Sequence, residues 1–309
     1  MSGVVFSVLF LTTCKKEQGP DAKESFIRDM LSEISADSLE SCVTWLQGMG
    51  PRFALADNHR SVAVRIRNRF RSMGYDAELD SFFITRNFKN VQYSQWQYNV
   101  IALLRGTEYP DSVCVIGGHY DDYNGSADPF VSAPGAHDNA SGTAAAIEVA
   151  RVMKKKNFIP SRSIMFIAFG AEELGLYGSR DFAADPGWFS SKISFMLNND
   201  MIAYEPDQNT GSWQVNIMDY ANSVSLKNYA SRISSDFTLL GTITDNTHNT
   251  QSDSYPFYLN AYKAVFFSSA KMDPYYHSSN DIVTNCNFEY SSEIVKTCCA
   301  ILADYNYIE

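Results

Sequence analysis

Apolar and polar positions change period repeatedly along the chain, and each change marks an element. Residues 37–46 and 58–73 carry apolar side chains at helical spacing, and Gly74 predicts a stop after the second helix. DAELDSFFIT (76–85) alternates as a half-buried strand does, and YNVIALLRG and SVCVIGGHY predict two more strands. Residues 141–155 return to the helical period. SRSIMFIAF (161–169) is a nearly continuous apolar strand, and residues 178–184 form a short helix. KISFMLNNDMI, WQVNIM and KAVFFSS predict later strands, with helices over 222–237 and 291–305. Fully apolar strands alternating with helices imply a sheet covered on both faces. The expected fold class is therefore α/β, with a mixed, mostly parallel central sheet between helices. No internal repeat or long linker divides residues 23–309, so they are read as one domain.

The amino terminus breaks this pattern. VVFSVLFLTTC (4–14) is a short apolar run, too short for a stable span, and resembles a signal-peptide core ending in a degraded lipobox at Cys14. Thr13 is larger than the residue usual before a lipidated cysteine, and no Lys or Arg precedes the run. Residues 1–14 are assigned to this segment and 15–22 to a polar linker. The expectation is export to the cell envelope, with membrane contact only through a lipid on Cys14.

Composition narrows the partners. The chain has 45% hydrophobic and 19% charged residues, as a globular protein does, and its net charge of −10 speaks against a nucleic-acid partner. VRIRNRFR (64–71) reads as the wet side of a helix. Apart from Cys14, five cysteines remain and none forms a C-x-x-C pair, so no zinc ribbon or redox motif is suggested. An exported chain leaves room for one disulfide, which the sequence does not pair.

In open α/β sheets, sites form beyond the carboxyl ends of the strands. The apolar runs are followed there by His119 and Asp121, by Glu172 and Glu173, by Asp200, and by His277. Asp138, in GAHDNASG, precedes a helix and reads equally as its cap or as a ligand. Asp121 lies two residues from His119, on the same side of an extended chain, where a carboxylate orients an imidazole for a metal. Two adjacent glutamates at a strand end repel each other unless a cation takes one and the other serves as a base. Two histidines and three carboxylates make a nitrogen and oxygen donor set that suits zinc, without the cysteines of a structural site. No H-E-x-x-H, G-x-S-x-G, Walker or G-x-G-x-x-G motif is present among these residues.

In order, GGHYDDY, GAHDNASGTAA, FIAFGAEELGLYGS, NNDMI and YYHSSND resemble the M28 metallopeptidases, co-catalytic zinc aminopeptidases, from about residue 99 to 282. The resemblance implies two Zn²⁺, one held by His119, Asp138 and Asp200, the other by Asp138, Glu173 and His277. It implies Glu172 as general base, Asp121 as the partner of His119, and Tyr276 as a group steadying the tetrahedral intermediate. The substrate would be a peptide with a free N-terminus. Ser252-Asp253-Ser254 departs from the Ser-Asp-His of many relatives. His248 reads as a surface residue or as part of a cleft wall. A glutaminyl cyclase of the same fold with one zinc is the enzymatic alternative, and a non-catalytic binding module is the other.

Overall fold

A computed structural model describes residues 22–187 and 192–308. The apolar leader-like run and Cys14 lie outside the described residues. The chain opens with α1 (Ala22–Leu31), α2 (Ala36–Gln47) and α3 (His59–Ser72), then β1 (Asp76–Phe88), β2 (Val91–Leu104) and β3 (Tyr109–His119). It continues with α4 (Ser141–Lys155), β4 (Arg162–Phe169), α5 (Tyr177–Ala184), β5 (Ile193–Asn199) and β6 (Gln214–Met218). The last elements are α6 (Val224–Phe237), β7 (Gly241–Ile243), α7 (Ser254–Leu259), β8 (Ala264–Ser269) and α8 (Phe288–Asn306).

The strands form one sheet in the order β1-β2-β4-β3-β5-β8-β6-β7. β4, β3, β5 and β8 run parallel at its centre, as β6 and β7 do at one edge, while β1–β2, β2–β4 and β6–β8 are antiparallel. The expected mixed α/β sheet is therefore present. Its two faces follow from the two-residue period of a strand. Cys114 and Ile116 of β3, with Ile164, Phe166 and Ala168 of β4, pack in the larger core with residues of α1–α4, α6 and α8. Their neighbours Val113, Val115, Met165, Ile167 and Phe169 point the other way, onto Phe182 of α5 and Phe257 of α7. Both faces are dry, which is why these strands read as unbroken apolar runs. Phe166 has no solvent exposure, and truncating it to alanine would cost about 3–5 kcal/mol.

Three departures from the sequence reading have local causes. β1 and β2 are longer than the alternating pattern suggested and close into a hairpin through Lys89 and Asn90, at φ 47° and 65°. Such a two-residue loop needs positive φ at both positions, and Lys-Asn is a weak signal for it. α1, α7 and β7 were not expected; α7 and β7 are six and three residues long, too short to show a period. α8 begins at Phe288, where the Asn287 side chain accepts from the Tyr290 N–H and caps the helix ahead of the apolar run. Gly74, at φ 82°, ends α3 as expected, with its N–H bonded to the Arg71 carbonyl. Cys42, Cys114, Cys286, Cys298 and Cys299 are all free thiols. No helix among the described residues is long and apolar enough to cross a membrane.

The consequence for chemistry is positional. β4, β3, β5 and β8 are neighbours and point the same way, so their carboxyl ends lie side by side. The α4 N-terminus is drawn in against them because Gly118 and Gly142 lack a Cβ; one added at Gly142 would sit 1.9 Å from the Asn199 carbonyl oxygen.

Candidate metal centre

Five side chains flagged in the sequence meet at these strand ends. His119 is the last residue of β3, Asp200 follows β5, Glu172 and Glu173 follow β4, and His277 comes from the loop after β8. Asp138 lies in the turn before α4, between the two histidines. Its Oδ1 is 3.3 Å from His119 Nε2 and its Oδ2 is 3.1 Å from His277 Nε2. His119 Nε2 also faces Asp200 Oδ1 at 3.4 Å and Glu172 Oε2 at 3.8 Å. His277 Nε2 lies 3.0 Å from Glu173 Oε2. The donor atoms of His119, Glu172 and Asp200 lie within 4.8 Å of one another, as do those of His119, Asp138 and Glu173.

The two readings of Asp138 separate here. The capping contact belongs to Asn139, whose Oδ1 accepts the Gly142 N–H at 2.7 Å, leaving the Asp138 carboxylate for the histidines. The peptide bond between the two is cis. His137 turns elsewhere, its Nδ1 accepting the Ala203 N–H at 3.0 Å; burial lowers its pKa to about 4 and keeps the ring neutral.

Several observations fit this donor set to divalent cations. His119 Nδ1 donates to the Asp121 carbonyl at 3.0 Å, so a neutral ring presents a bare lone pair at Nε2, aimed at three carboxylates. Burial opposes a charged His119, yet Glu172, Asp200 and Asp138 hold its pKa well above the usual value, so without a cation these acids keep a proton on Nε2 that a metal would displace. Burial pushes Glu172 well above the ordinary carboxylate range and Glu173 to about 8, with neighbouring acids adding to both shifts. Asp200 Oδ1 is buried with no hydrogen-bond partner. Acids that resist ionisation, an imidazole nitrogen aimed at them and a buried oxygen without a partner form a donor set that a divalent cation would satisfy. Nitrogen and carboxylate donors without thiolate match zinc.

A second group of acids holds the first in place. The Asp121 carboxylate accepts the N–H groups of Glu172 and Glu173 at 3.0 and 3.2 Å, and lies 3.8 Å from His119 Nδ1. Asp121 thus orients the histidine through its main chain and the two glutamates through its side chain. Asp281 accepts the N–H groups of His137 and Asp138 at 2.7 and 3.0 Å, so it supports Asp138 and not His277. Ser252, the serine that both patterns share, donates to Asp200 Oδ2 at 2.6 Å and orients that carboxylate, while Ser254, at the position of the missing histidine, pairs with the Tyr220 hydroxyl at 2.9 Å. Tyr276 is half exposed, with its ring stacked on His277 at 3.8 Å. His248 is exposed and pairs with Gln251.

The sequence reading missed Arg52 and Asp122. Arg52 has no solvent exposure; its Nη1 is 3.3 Å from Asp122 Oδ2, and its guanidinium donates to the carbonyls of Tyr120, Pro134 and Gly135. It ties the end of β3 to the turn carrying Asp138. The available signal was a lone arginine in a run of small and apolar residues, GPRFALA.

The model for peptidase family M28 matches residues 99–302. A probable zinc metalloprotease of Leptosphaeria maculans is 34% identical over 193 residues, covering 59% of this chain and 44% of the relative. The chain spans less than half the length of the curated relatives of this kind that head the comparison. Among solved structures, the LapA aminopeptidase of Legionella pneumophila superimposes with a TM-score of 0.77 at 21% identity, over 100% of this chain and 81% of that one. A glutaminyl cyclase of Bacteroides thetaiotaomicron superimposes at 0.70 with 14% identity, over 89% and 99%. Both likenesses are of fold.

Proposed function

The chain belongs to peptidase family M28, and from that membership we propose that it is a di-zinc aminopeptidase, removing residues from the free N-terminus of peptides. The observation that carries this reading is the Asp138 carboxylate, which offers one oxygen to each histidine, at 3.3 and 3.1 Å. A carboxylate so placed is suited to bridge two ions. His119, Asp138 and Asp200 would hold one zinc, and Asp138, Glu173 and His277 the other. Bound there, zinc supplies Lewis-acid polarisation of the scissile carbonyl and lowers the pKa of the attacking water.

Glu172 then has the role of proton carrier. It is buried beside the ligands without a close hydrogen-bonding partner for its carboxylate, and burial favours its protonated form. With cations held beside it the carboxylate would ionise, and it would then accept a proton from water and deliver it to the leaving amine, as base and acid in turn. The Asp121 carboxylate fixes the Glu172 main chain, so the base is aimed by two backbone hydrogen bonds and not by its own side chain. Tyr276, whose ring stacks on His277, would donate its phenol to the developing oxyanion.

One observation favours a second reading, a single-zinc cyclase acting on N-terminal glutamine: the cyclase fold superimposes over 89% of this chain. The retained His119 and Asp138 pair supports the hydrolase. Metal analysis combined with N-free and N-blocked peptides separates the two. Two zinc ions and cleavage of N-free peptides alone support the aminopeptidase; one zinc and cyclisation would replace it. Export with a lipid on Cys14 belongs to the same proposal, and Cys14→Ala would then move the protein from the membrane to the soluble fraction.

A further inference from the structure

A cavity of about 450 Å³, linked to His277 only through intervening aromatic rings, is not used by the proposed chemistry. Leu55, Ala56, Tyr93 and Phe130 supply its apolar wall, and Asp57 and Asn58 its polar side. Asn58 donates through Nδ2 to the Pro51 carbonyl at 2.8 Å, but its Oδ1 is buried with no partner. Asp57 is exposed and makes the rim acidic.

The cavity joins the metal centre through a row of rings. His277 packs edge-on to Tyr123 at 5.1 Å, Tyr123 meets Phe88 at 6.4 Å, and Phe88 meets Phe130 at 5.9 Å. Tyr93 stacks on Phe130 at 5.9 Å. Ala171 and Leu174, which flank the two glutamates, belong to the same apolar cluster as Leu55 and Ala56. Tyr123, Phe88, Phe130 and Tyr93 are each only partly buried, so the row has a face open to a ligand.

An enzyme that removes the first residue of a peptide has substrate on one side of the scissile bond only, apart from that residue. Anything reaching this cavity must be downstream. An extended peptide advances roughly 3.4 Å per residue, so the row of rings spans to roughly the third to fifth residue beyond the bond. We propose that the cavity is the subsite for an apolar side chain at this distance, with Asp57 at its rim disfavouring acidic residues. The inference rests on the peptidase reading and makes longer peptides with an apolar residue at that distance the preferred substrates.

The test uses leucine-led glycine heptapeptides in which one phenylalanine is walked through positions four to six, with leucine p-nitroanilide as the short substrate. The best phenylalanine position should raise kcat/KM about tenfold over the all-glycine peptide, as burial of one aromatic side chain allows. Phe130→Ala and Tyr93→Ala should abolish that gain and leave nitroanilide turnover unchanged, while Phe130→Tyr retains it. A flat walk in the native protein, or equal losses on both substrates in Phe130→Ala, overturns the subsite. If neither substrate is cleaved, the peptidase reading fails and the subsite is judged by calorimetric titration of the same heptapeptides. Tighter binding of the phenylalanine peptide, lost in Phe130→Ala, upholds it; equal affinity refutes it.

Discussion

Two sets of buried acids in this fold are built in opposite ways. Asp121, Asp122, Asp281 and Glu148 form the outer set, and each is fully provided for. Asp121 and Asp281 each accept two backbone N–H groups, Asp122 accepts the Arg52 N–H and faces its guanidinium, and Glu148 accepts from Ser38 and Arg151. The inner set, Asp138, Glu172, Glu173 and Asp200, faces two imidazoles and its own members. Its one hydroxyl contact comes from Ser252. Acids of the first kind lock main chain in place. Acids of the second kind hold a charge deficit open, which is useful only where a cation is to be bound.

The contrast predicts different failures for the two sets. The largest effect belongs to the inner set. Glu172→Gln should keep its zinc and lose about 10²–10⁴-fold in kcat, the range a positioned proton carrier supplies. Wild-type turnover on aminoacyl nitroanilides by this variant would remove Glu172 from the mechanism. In the outer set, Arg52→Met leaves Asp122 buried without its cation and should cost about 3–5 kcal/mol of stability, read as a lowered urea midpoint with or without chelator. A midpoint within experimental scatter of the parent would show that the pair is not structural.

Asp281→Ala should come next. It strips the acceptor from the His137 and Asp138 N–H groups and should weaken zinc binding about 10–100-fold, as loss of a ligand's support does. Equal zinc affinity in a competition titration would show that the turn before α4 holds without it. The smallest effect should have the opposite sign. Burial, and then Asp138, lifts Glu173 from 4.5 to about 8, so the metal-free folded state binds more protons than the unfolded chain between those values. Stability of the chelated protein should therefore fall as pH rises through that window. Glu173→Gln should flatten the slope and gain on the order of 1 kcal/mol at its upper end. A chelated variant less stable than its parent at pH 8 would contradict the charge-deficit account.

Much of the inner set was legible before any coordinates. His119, Glu172, Glu173 and Asp200 each follow an apolar strand directly, and a parallel sheet brings strand ends together by its geometry. The outer set was not legible in the same way. Asp122 and Asp281 look like any turn-forming aspartate, and their partners lie 70 and 144 residues away in the chain. Asp121 was placed near His119 correctly by spacing, but its carboxylate reaches Glu172 and Glu173, about 50 residues on. The hairpin that carries Phe88 and Tyr93 toward the cavity was half hidden as well, because Lys89-Asn90 lacks the glycine that usually marks such a turn.

The amino-acid order alone therefore determined the alternation of strands and helices, the dry sheet and the place of each chemical group at a strand end. These depend on local periodicity and on residue type. Which carboxylates pair with backbone, and which are left facing the histidines, was decided only when distant segments packed. Hydrogen-bond partnership depends on angles and distances of a few ångströms, and one chain position carries no record of which remote N–H will arrive there.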